Sequence, residues 1–330
     1  MSRPQRSRRS CLAVPGSSPR MIEKATGLPA DHVFLDLEDS VVPEAKVEAR
    51  PTVANAISTM DWGERVVGVR VNDMGSMWGE DDVREVARNA GPRLDVIVVP
   101  KVESAAQVEL VDHLLAQAES ESGRAVGSIG LEPQIETAAG LTAIDEIANA
   151  SARNETLIFG PGDMAASLGM PSLAVGELRD DYPGDHWHYI LMHVLIAARS
   201  AGLQAIDGPY AAIDNLDGYR ASAARSRLLG YDGKWAIHPT QIELANEVYG
   251  VTVPEFERAS DIVDAYAAAG AEGRGAAMFG PEMIDEATRK MAESTLDKGR
   301  RQGVAARPTD PDVPFHLRAE WRSPDGSGPT

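Results

Sequence analysis

The chain has 330 residues, 43% of them hydrophobic, which is enough to bury the core of one large domain or two small ones. A formal net charge of −18 argues against nucleic acid as a partner, because a phosphate backbone requires a basic surface. No apolar run reaches the roughly 18 residues of a membrane span, so no membrane partner is expected. Cys11 is the single cysteine, which excludes an internal disulfide and favours a cytoplasmic location. Its apolar surroundings predict an inert, buried thiol.

Residues 1–10 are rich in arginine and are predicted to form a basic N-terminal tail. Short apolar runs then recur along the chain, mostly separated by amphipathic helical patterns. The eight runs begin at residues 11, 32, 65, 95, 125, 156, 203 and 234. Near-continuous apolar strands that alternate with helices indicate a parallel sheet. Eight such units predict a (β/α)8 TIM barrel over residues 11–250, with an open doubly wound sheet as the alternative.

Further segments follow the sixth and the eighth strand. The stretch MPSLAVGELRDDYPGDHWH is predicted to be an insertion before the seventh strand. Three helical patterns follow the eighth strand: QIELANEVYG, EFERASDIVDAYAAA and PEMIDEATRKMAESTLDKG. Residues 251–302 are therefore predicted to form a C-terminal helical extension. Residues 303–330 are rich in Pro, Arg, Asp and Gly and are predicted to be a flexible tail.

Polar residues cluster where the apolar runs end. They are Asp36, Glu38 and Asp39 after the second run, Arg70 and Asn72 after the third, Lys101 and Glu103 after the fourth, Glu132, Gln134 and Glu136 after the fifth, Asp163 after the sixth, Asp207 after the seventh and His238 after the eighth. The C-terminal strand ends form the face on which barrel enzymes place their chemistry, so the pattern predicts one shared active site. For the histidine, a structural hydrogen bond is favoured over a catalytic role.

Two of these carboxylates are candidate metal ligands. Glu136 in LEPQIET and Asp163 in FGPGDMA offer oxygen ligands with no nearby Cys or paired His, which suits a hard divalent ion such as Mg²⁺. The alternative is that Asp163, like Asp39, only caps the helix that follows it.

Three carboxylates in four positions follow the second strand, and such crowding requires compensating charge. Strand alternation places Asp36 and Glu38 on one face and Asp39 on the other. A nearby dication would offset their repulsion, and these acids are predicted to hold metal-bound waters. Lys101 is predicted to neutralise one further charge.

The loop FGPGDMAASLG matches the dinucleotide fingerprint GxGxxA, but only weakly, because the acid inside the loop would face a pyrophosphate. Gly160 and Gly162 are instead predicted to let backbone N–H groups approach the carboxylate of a small substrate, in a loop that includes Asp163.

Three basic residues are candidates for binding anionic groups. Arg70 ends the third strand and is predicted to clamp a carboxylate or a thioester oxygen, although a structural ion pair with the neighbouring acids is the alternative. Arg20 and Lys24 in VPGSSPRMIEKA lie beside flexible Gly and Ser residues and are candidates for binding phosphates.

Taken together, these motifs resemble the citrate lyase beta-subunit-like aldolases. The resemblance covers roughly residues 10–300 and rests on VPGSSPRMIEKA, DLEDSV, RVN, PKVES, QIET, FGPGDMA and KWAIHPTQ. Within that family, GDHWHYILMHVLIAARSAGLQAIDGPY is most similar to the malyl-CoA and β-methylmalyl-CoA lyases. The resemblance implies a barrel enzyme that assembles into a homo-oligomer, a trimer or hexamer, and that uses Mg²⁺, with Mn²⁺ as a possible substitute, and a CoA thioester.

The resemblance also implies roles for individual residues. Glu136 and Asp163 match metal ligands, Arg70 matches the substrate-binding arginine, and Arg20 and Lys24 fall in the CoA-phosphate region. Asp285 in MFGPEMID matches an aspartate that a neighbouring subunit contributes as the acid or base, so the extension is expected to pack on a neighbouring subunit. Where the family has Pro-His after this aspartate, the chain has Glu286-Ala287.

The expected activity is a Mg²⁺-dependent carbon–carbon lyase. It would cleave (3S)-malyl-CoA, or a methylmalyl-CoA or citramalyl-CoA relative, into acetyl-CoA or propionyl-CoA and a 2-oxo acid such as glyoxylate. Three alternatives remain open. They are a malyl-CoA thioesterase, a citryl-CoA lyase-type subunit, and a subunit of a complex that binds CoA esters without turnover.

Overall fold

The computed structural model describes residues 4–171, 174–177 and 182–305. Eight parallel strands close into one barrel. They are β1 (Ser10–Pro15), β2 (His32–Asp36), β3 (Val66–Arg70), β4 (Val96–Val99), β5 (Gly130–Ile135), β6 (Thr156–Phe159), β7 (Gln204–Asp207) and β8 (Gly233–Ala236). Each strand pairs with the next, and β8 closes the barrel on β1 with Trp235 opposite Cys11. The predicted barrel and its eight strands are confirmed, and the open sheet is wrong.

Helices connect the strands, as the amphipathic patterns predict. They are α1 (Pro19–Thr26), α2 (Lys46–Thr59), α3 (Gly79–Asn89), α4 (Ala105–Glu121), α5 (Ala138–Thr142), α6 (Ile144–Asn149), α7 (Pro161–Ser167), α8 (His188–Ser200), α9 (Leu216–Leu229) and α10 (Thr240–Tyr249). The helical pattern LTAIDEIANA at residues 141–150 contains the end of α5 and all of α6. Within the described ranges, none of the helices combines the length and apolar character needed to cross a bilayer.

The strands separate two apolar layers, because successive side chains of a strand point to opposite faces. The larger layer lies between the sheet and the helices. The smaller fills the barrel interior and consists of Cys11, Phe34, Val98, Ile158, Ile206 and Trp235. Cys11 is 1% exposed, and burial raises the pKa of its thiol well above the ordinary range. The thiol is therefore buried and protonated, as the sequence predicts.

The N-terminal residues differ from the predicted basic tail. Arg8 is 1% exposed and lies inside the N-terminal end of the barrel. Its Nε donates to Glu132 at 2.7 Å, its Nη1 donates to Gln204 at 2.7 Å, and its Nη2 donates to Glu155. Two buried carboxylates at this end require a cation, because an unpaired buried charge is costly. Residues 8–10 therefore belong to the barrel.

The chain divides into two compact units between Tyr249 and Gly250, beside the boundary expected at residue 250. The second unit contains α11 (Val253–Ala271), the antiparallel strands β9 (Ala277–Phe279) and β10 (Glu282–Ile284), and α12 (Glu286–Arg301). Its small core includes Phe256, Ile262 and Ile284. The flexible tail predicted from residue 303 lies outside the described residues from position 306 onward.

The second unit corrects one predicted helix. The pattern that begins at Pro281 was expected to be helical throughout, whereas α12 begins only at Glu286. The preceding residues form the β9–β10 hairpin, whose two-residue turn begins with Gly280 at φ +57°. A positive φ at the first turn residue favours glycine and is typical of tight hairpins. The first of the three helices predicted after the eighth strand is α10, which belongs to the barrel unit.

Candidate active site

A cavity of about 420 Å³ opens at the C-terminal ends of the strands. Most of the polar residues that line it come from positions that the sequence analysis singles out. They are Asp36, Asp39, Arg70, Gln134, Glu136 and Asp163, with Gly160, Gly162 and the ring of Trp235 beside them. Barrel enzymes place their chemistry at this face. The structure therefore brings the predicted metal ligands and the predicted substrate-binding arginine to one cavity.

Arg70 forms a bidentate ion pair with Asp36, at 2.7 Å from Nε to Oδ1 and 2.8 Å from Nη2 to Oδ2. Its Nη1 lies 2.9 Å from Glu38 Oε2, without the alignment of a hydrogen bond. The guanidinium also faces the Trp235 ring at 5.3 Å. Burial opposes the charged form of Asp36, but Arg70 overrides it and lowers the pKa of this carboxyl. Arg70 thus forms the structural ion pair with neighbouring acids that is the alternative to substrate binding.

That ion pair leaves part of Arg70 available. Nη2 donates once, to Asp36, so its second N–H has no acceptor among the residues that the structure describes. Arg70 also lines the cavity. A paired arginine can therefore still bind an anionic oxygen.

Strand alternation predicts Asp39 on the face opposite Asp36 and Glu38, and this prediction is wrong. Strand β2 ends at Asp36, whose carboxylate accepts hydrogen bonds from the backbone N–H groups of Glu38 at 2.9 Å and Ser40 at 3.1 Å. This turn brings the largely exposed Asp39 back toward the cavity, where its Oδ2 lies 3.4 Å from Arg70 Nη1. Alternation applies only while the backbone is extended.

Glu136 follows β5 directly and is 2% exposed. Its Oε1 accepts the backbone N–H of Lys101 at 2.7 Å, and its Oε2 accepts Gln134 Nε2 at 2.6 Å. Burial, together with the nearby charges of Glu38 and Asp163, raises the pKa of Glu136 from 4.5 to about 8. The ionised form of Glu136 therefore requires additional positive charge nearby.

Lys101 joins the two sets of acids. Its Nζ bonds to Glu38 Oε1 and lies 3.6 Å from Asp163 Oδ2 and 3.9 Å from Asp39 Oδ1. Burial opposes the charged form of Lys101, but its hydrogen bond to Glu38 and the charges of Glu38, Glu136 and Asp39 raise its pKa, so the ammonium stays charged at neutral pH. The compensating charge expected for the acids is therefore supplied in part by Arg70 and Lys101.

Helix capping does not account for Asp163 or Asp39. Asp163 is the third residue of α7, whose N-cap is Gly160. The 3₁₀ turn Pro43–Ala45 that follows Asp39 is preceded by Val42 as its N-cap, and no side-chain cap is formed. Asp163 is instead 41% exposed at the cavity.

The residues present fit a divalent cation. Five carboxylates share this region with the two cations Arg70 and Lys101, so negative charge remains in excess; the acids are Asp36, Glu38, Asp39, Glu136 and Asp163. No group of three or more His, Cys, Asp or Glu side chains in the described ranges forms a complete metal cage. Mg²⁺ typically takes one or two protein carboxylates and keeps several waters, so the pair Glu136 and Asp163 suits it. The buried Oε1 of Gln134 has no hydrogen-bond partner among the described residues and adds a further oxygen beside Glu136.

The two predicted glycines differ in what their backbones approach. A Cβ at Gly160 would lie 2.4 Å from Glu136 Oε2 and 2.5 Å from its Cβ, so only glycine fits there. A Cβ at Gly162 would meet nothing nearer than the side chain of Val175, at 3.6 Å. Gly160 therefore makes room for the Glu136 carboxylate, whereas Gly162 has space to spare.

Three further candidates lie outside the cavity lining. Arg20 and Lys24 are exposed one turn apart on α1 and form no ion pair with another described residue. Asp285 is the N-cap of α12, where its Oδ1 accepts the backbone N–H of Thr288 at 3.0 Å. Hydrogen bonds from Thr288 lower the pKa of Asp285, so the group is ionised at neutral pH.

Several polar residues near the strand ends serve the scaffold instead. Glu132 lies within β5 and binds Arg8 at the opposite end of the barrel. Asp207 accepts Lys234 Nζ at 2.7 Å. The exposed His238 bonds to Thr240 Oγ1 at 2.9 Å, which is the structural role expected for it.

Sequence reasoning missed the groups that brace the site. Lys46 is buried and donates to the carbonyl oxygens of Leu37 at 3.0 Å and Glu38 at 2.7 Å and to Asn72 Oδ1 at 2.6 Å. No local pattern distinguishes this lysine from an exposed one such as Lys24 of α1. Trp235 had a usable signal, because alternation along β8 points it into the barrel interior.

The family of the chain is shown by its sequence as well as its fold. Residues 9–239 match the model of the HpcH/HpaI aldolase/citrate lyase family. The chain belongs to this family. The predicted resemblance is therefore confirmed.

Named relatives and a solved structure agree with this assignment. An L-malyl-CoA/beta-methylmalyl-CoA lyase of Cereibacter sphaeroides is 40% identical over 299 residues, which are 88% of this chain and 94% of the relative. A (3S)-malyl-CoA thioesterase of the same species is 37% identical over 90% of this chain and 96% of its own. The structure of protein CitE from Mycobacterium tuberculosis with magnesium, acetoacetate and coenzyme A has a TM-score of 0.68 and 28% identity. It covers 88% of this chain and 97% of CitE.

Proposed function

We propose that the protein is a Mg²⁺-dependent carbon–carbon lyase that cleaves (3S)-malyl-CoA or a methyl-substituted relative. The products would be acetyl-CoA or propionyl-CoA and a 2-oxo acid such as glyoxylate. The observation that carries the proposal is the convergence of Glu136, Asp163 and Arg70 on one cavity at the C-terminal end of the barrel. The named lyase relative at 40% identity supports the substrate class.

Glu136 and Asp163 would hold the metal ion. When bound, Mg²⁺, or Mn²⁺ in its place, supplies a Lewis acid that polarises the oxygens of the 2-oxo acid. Gly160 leaves room for the Glu136 carboxylate, and the Lys101 backbone N–H and the Gln134 amide fix its orientation. Asp36 in turn fixes the guanidinium of Arg70, so both binding groups are oriented before substrate arrives.

Arg70 would stabilise the charge that develops on the thioester. In the cleavage direction a base removes the proton of the substrate hydroxyl, the C–C bond breaks, and its electrons pass to the thioester as an enolate. The free N–H of Arg70 Nη2 is the donor for the enolate oxygen, an interaction often worth about 3–4 kcal/mol in the transition state. A proton returned to the α-carbon completes the acyl-CoA.

Asp285 of a neighbouring subunit would exchange that α-proton, as an acid in cleavage and as a base in condensation. The ionised state that its hydrogen bonds favour suits the base role. Its place as the N-cap of α12 means that substitution can also act through helix stability.

Two variants separate these effects. We expect Asp285→Asn, which preserves a capping side chain, to lose condensation activity. Thr288→Ala, which removes one partner of the capping box, should retain it. Equal losses in both variants would assign Asp285 to the helix alone.

Arg20 and Lys24 would bind the phosphates of the CoA moiety, since both are exposed and without an ion pair among the described residues. We expect Arg20→Ala and Lys24→Ala to raise KM for the CoA thioester while kcat changes little. Unchanged KM in both variants would place the phosphates elsewhere. Assembly into trimers or hexamers and a cytoplasmic location stay predictions, of which sedimentation velocity tests the first.

The thioesterase is the second candidate, because a relative of that name is 37% identical over nearly the whole chain. The test is to incubate the purified chain with Mg²⁺, acetyl-CoA or propionyl-CoA and a panel of 2-oxo acids, and to identify the products by mass. Condensation to an intact CoA ester supports the lyase, whereas free CoA thiol with a free hydroxy acid supports the thioesterase. Condensation with oxaloacetate in preference to the other 2-oxo acids would support a citryl-CoA lyase-type subunit. Binding without turnover would instead support a non-catalytic subunit of a complex.

A further inference from the structure

Lys101 has an unusual backbone conformation at the edge of the candidate site. Its φ is +48°, the one positive φ of a non-glycine residue in the described ranges. The left-handed region is unfavourable for an ordinary L-residue. Such strain persists where the surroundings impose it, and it points to a functional constraint. Here the conformation directs the backbone N–H of Lys101 to Glu136 Oε1 at 2.7 Å.

The side chain of the same residue holds a different acid. Lys101 Nζ bonds to Glu38 Oε1, while Glu38 Oε2 lies 2.9 Å from Arg70 Nη1. Both oxygens of Glu38 therefore face a cation, and the carboxylate is 5% exposed. The remaining neighbour is Asp163, whose Oδ2 lies 3.6 Å from the same ammonium. One lysine thus separates a neutralised carboxylate from the two proposed metal ligands.

We propose that Lys101 is a positioning residue that aligns Glu136 through its backbone and withholds Glu38 from the metal through its ammonium. The inference rests on the proposed metal site and goes beyond it. Without Lys101, Glu38 would retain only Arg70 as a neighbouring cation, and its Oε1 would lose its partner. A third carboxylate beside Glu136 and Asp163 strengthens the attraction for a dication. It would also occupy a metal position that a water or the 2-oxo acid would otherwise take. Lys101 therefore limits the negative charge around the metal and leaves a metal position for the substrate.

Removal of the charge should have opposite effects on metal binding and turnover. In Lys101→Met, we expect the full-length, metal-free protein to bind Mg²⁺ about tenfold more tightly by calorimetry. Water-proton relaxation of the Mn²⁺-loaded variant should show one exchangeable water fewer per ion, while kcat falls. A variant that only damages the site would weaken binding and turnover together.

Two controls isolate Glu38 and the charge. Lys101→Arg keeps the cation and should bind Mg²⁺ like the wild type. Adding Glu38→Gln to Lys101→Met removes the released carboxylate, so affinity and water number should return to wild-type values. Lys101→Asn is a second charge-free variant whose side chain tolerates a positive φ, which secures the test if the methionine variant folds poorly.

The outcomes separate this inference from the proposed function. Unchanged or weaker Mg²⁺ binding in both charge-free variants, or tighter binding with no loss of a water, would overturn the role of Lys101. The proposed metal site itself fails if the wild type binds no Mg²⁺, or if Glu136→Gln binds it equally well. Loss of binding in Glu136→Gln with no gain in Lys101→Met would leave the metal site standing and the Lys101 inference wrong.

Discussion

The two ends of the barrel both bury carboxylates, but they balance the charge differently. At the N-terminal end, Arg8 binds Glu132, Glu155 and Gln204 with three different nitrogens. Arg6 Nε lies 3.2 Å from Glu155 and adds a second cation. These acids have protein cations as partners, and no cavity is needed to complete the arrangement. Such a network is a means of closing and specifying the barrel end.

The C-terminal end leaves its charge incomplete. Arg70 and Lys101 face five carboxylates, and Glu136 receives neutral donors in place of a side-chain cation. Strand β5 shows the contrast most directly, because Glu132 and Glu136 are both buried and lie four residues apart on one chain segment. Burial alone therefore does not distinguish a structural carboxylate from a metal-binding one. The distinction lies in whether the carboxylate is paired with a protein cation.

The largest expected effect concerns the N-terminal end. Arg8→Met leaves Glu132 and Glu155 buried without their main cation, and we expect it to lower the free energy of unfolding by about 3–5 kcal/mol. Arg9→Met is the matched control, because Arg9 pairs with Asp31 at a partly exposed position and should cost about 1 kcal/mol or less. Urea denaturation measures both. Equal costs would contradict the assignment of Arg8 as the buried centre of this network.

The next effect concerns Glu136 and uses its counterpart on β5. We expect Glu136→Gln to lower kcat/KM at least about 100-fold and to weaken Mg²⁺ binding, because it removes a proposed metal ligand. Glu132→Gln should lower Tm while leaving kcat/KM and Mg²⁺ affinity unchanged. If the two variants exchanged these phenotypes, the functional contrast between the two ends would be wrong.

A smaller effect is expected from the glycines beside Glu136. In Gly160→Ala the new Cβ would collide with the Glu136 side chain, so overpacking should cost about 1–3 kcal/mol of stability and weaken Mg²⁺ binding. Gly162→Ala adds a methyl group that meets nothing closer than 3.6 Å and should leave both properties unchanged. Calorimetry and thermal melts of the pair provide the comparison. An unaffected Gly160→Ala protein would show that the Glu136 position is not tightly constrained.

The smallest expected effect is a pH dependence at the C-terminal end. Burial and the nearby acids raise the pKa of Glu136 from 4.5 to about 8. The folded state therefore retains a proton that the unfolded state loses, so this group stabilises the protein below about pH 4.5 and loses that contribution as the pH rises toward 8. In EDTA, Tm of the wild type should fall across this window more than Tm of Glu136→Gln, and Mg²⁺ should reduce the difference. Identical profiles would contradict the raised pKa.

The sequence predicts the barrel well because its signals are local. Each strand is a short, apolar, β-branched run, and the chain alternates these runs with helices, which strongly limits the possible topologies. The strand-end rule then places Glu136, Asp163 and Arg70 at one face without any knowledge of contacts. The errors arise where a local pattern stops applying. Asp39 follows the end of β2, and the predicted helix at Pro281 begins with a hairpin turn.

Partners across the sequence were beyond prediction. Arg8 bonds to Glu132 and Gln204, which are 124 and 196 positions further along the chain. The sequence of an arginine-rich N-terminus does not show whether its side chains are exposed or buried inside the barrel. Lys46 is likewise indistinguishable from exposed lysines until the loop after β2 packs over it. These roles depend on tertiary contacts of long sequence separation, which neither periodicity nor composition encodes.

The central claim is that one divalent ion binds between the acids that follow β5 and β6. Its most direct test is an anomalous difference map from crystals of the full-length protein grown with Mn²⁺. We expect a single strong peak at about 2.0–2.3 Å from carboxylate oxygens of both Glu136 and Asp163. No peak there, or a peak elsewhere with these two side chains directed away from each other, would contradict the account.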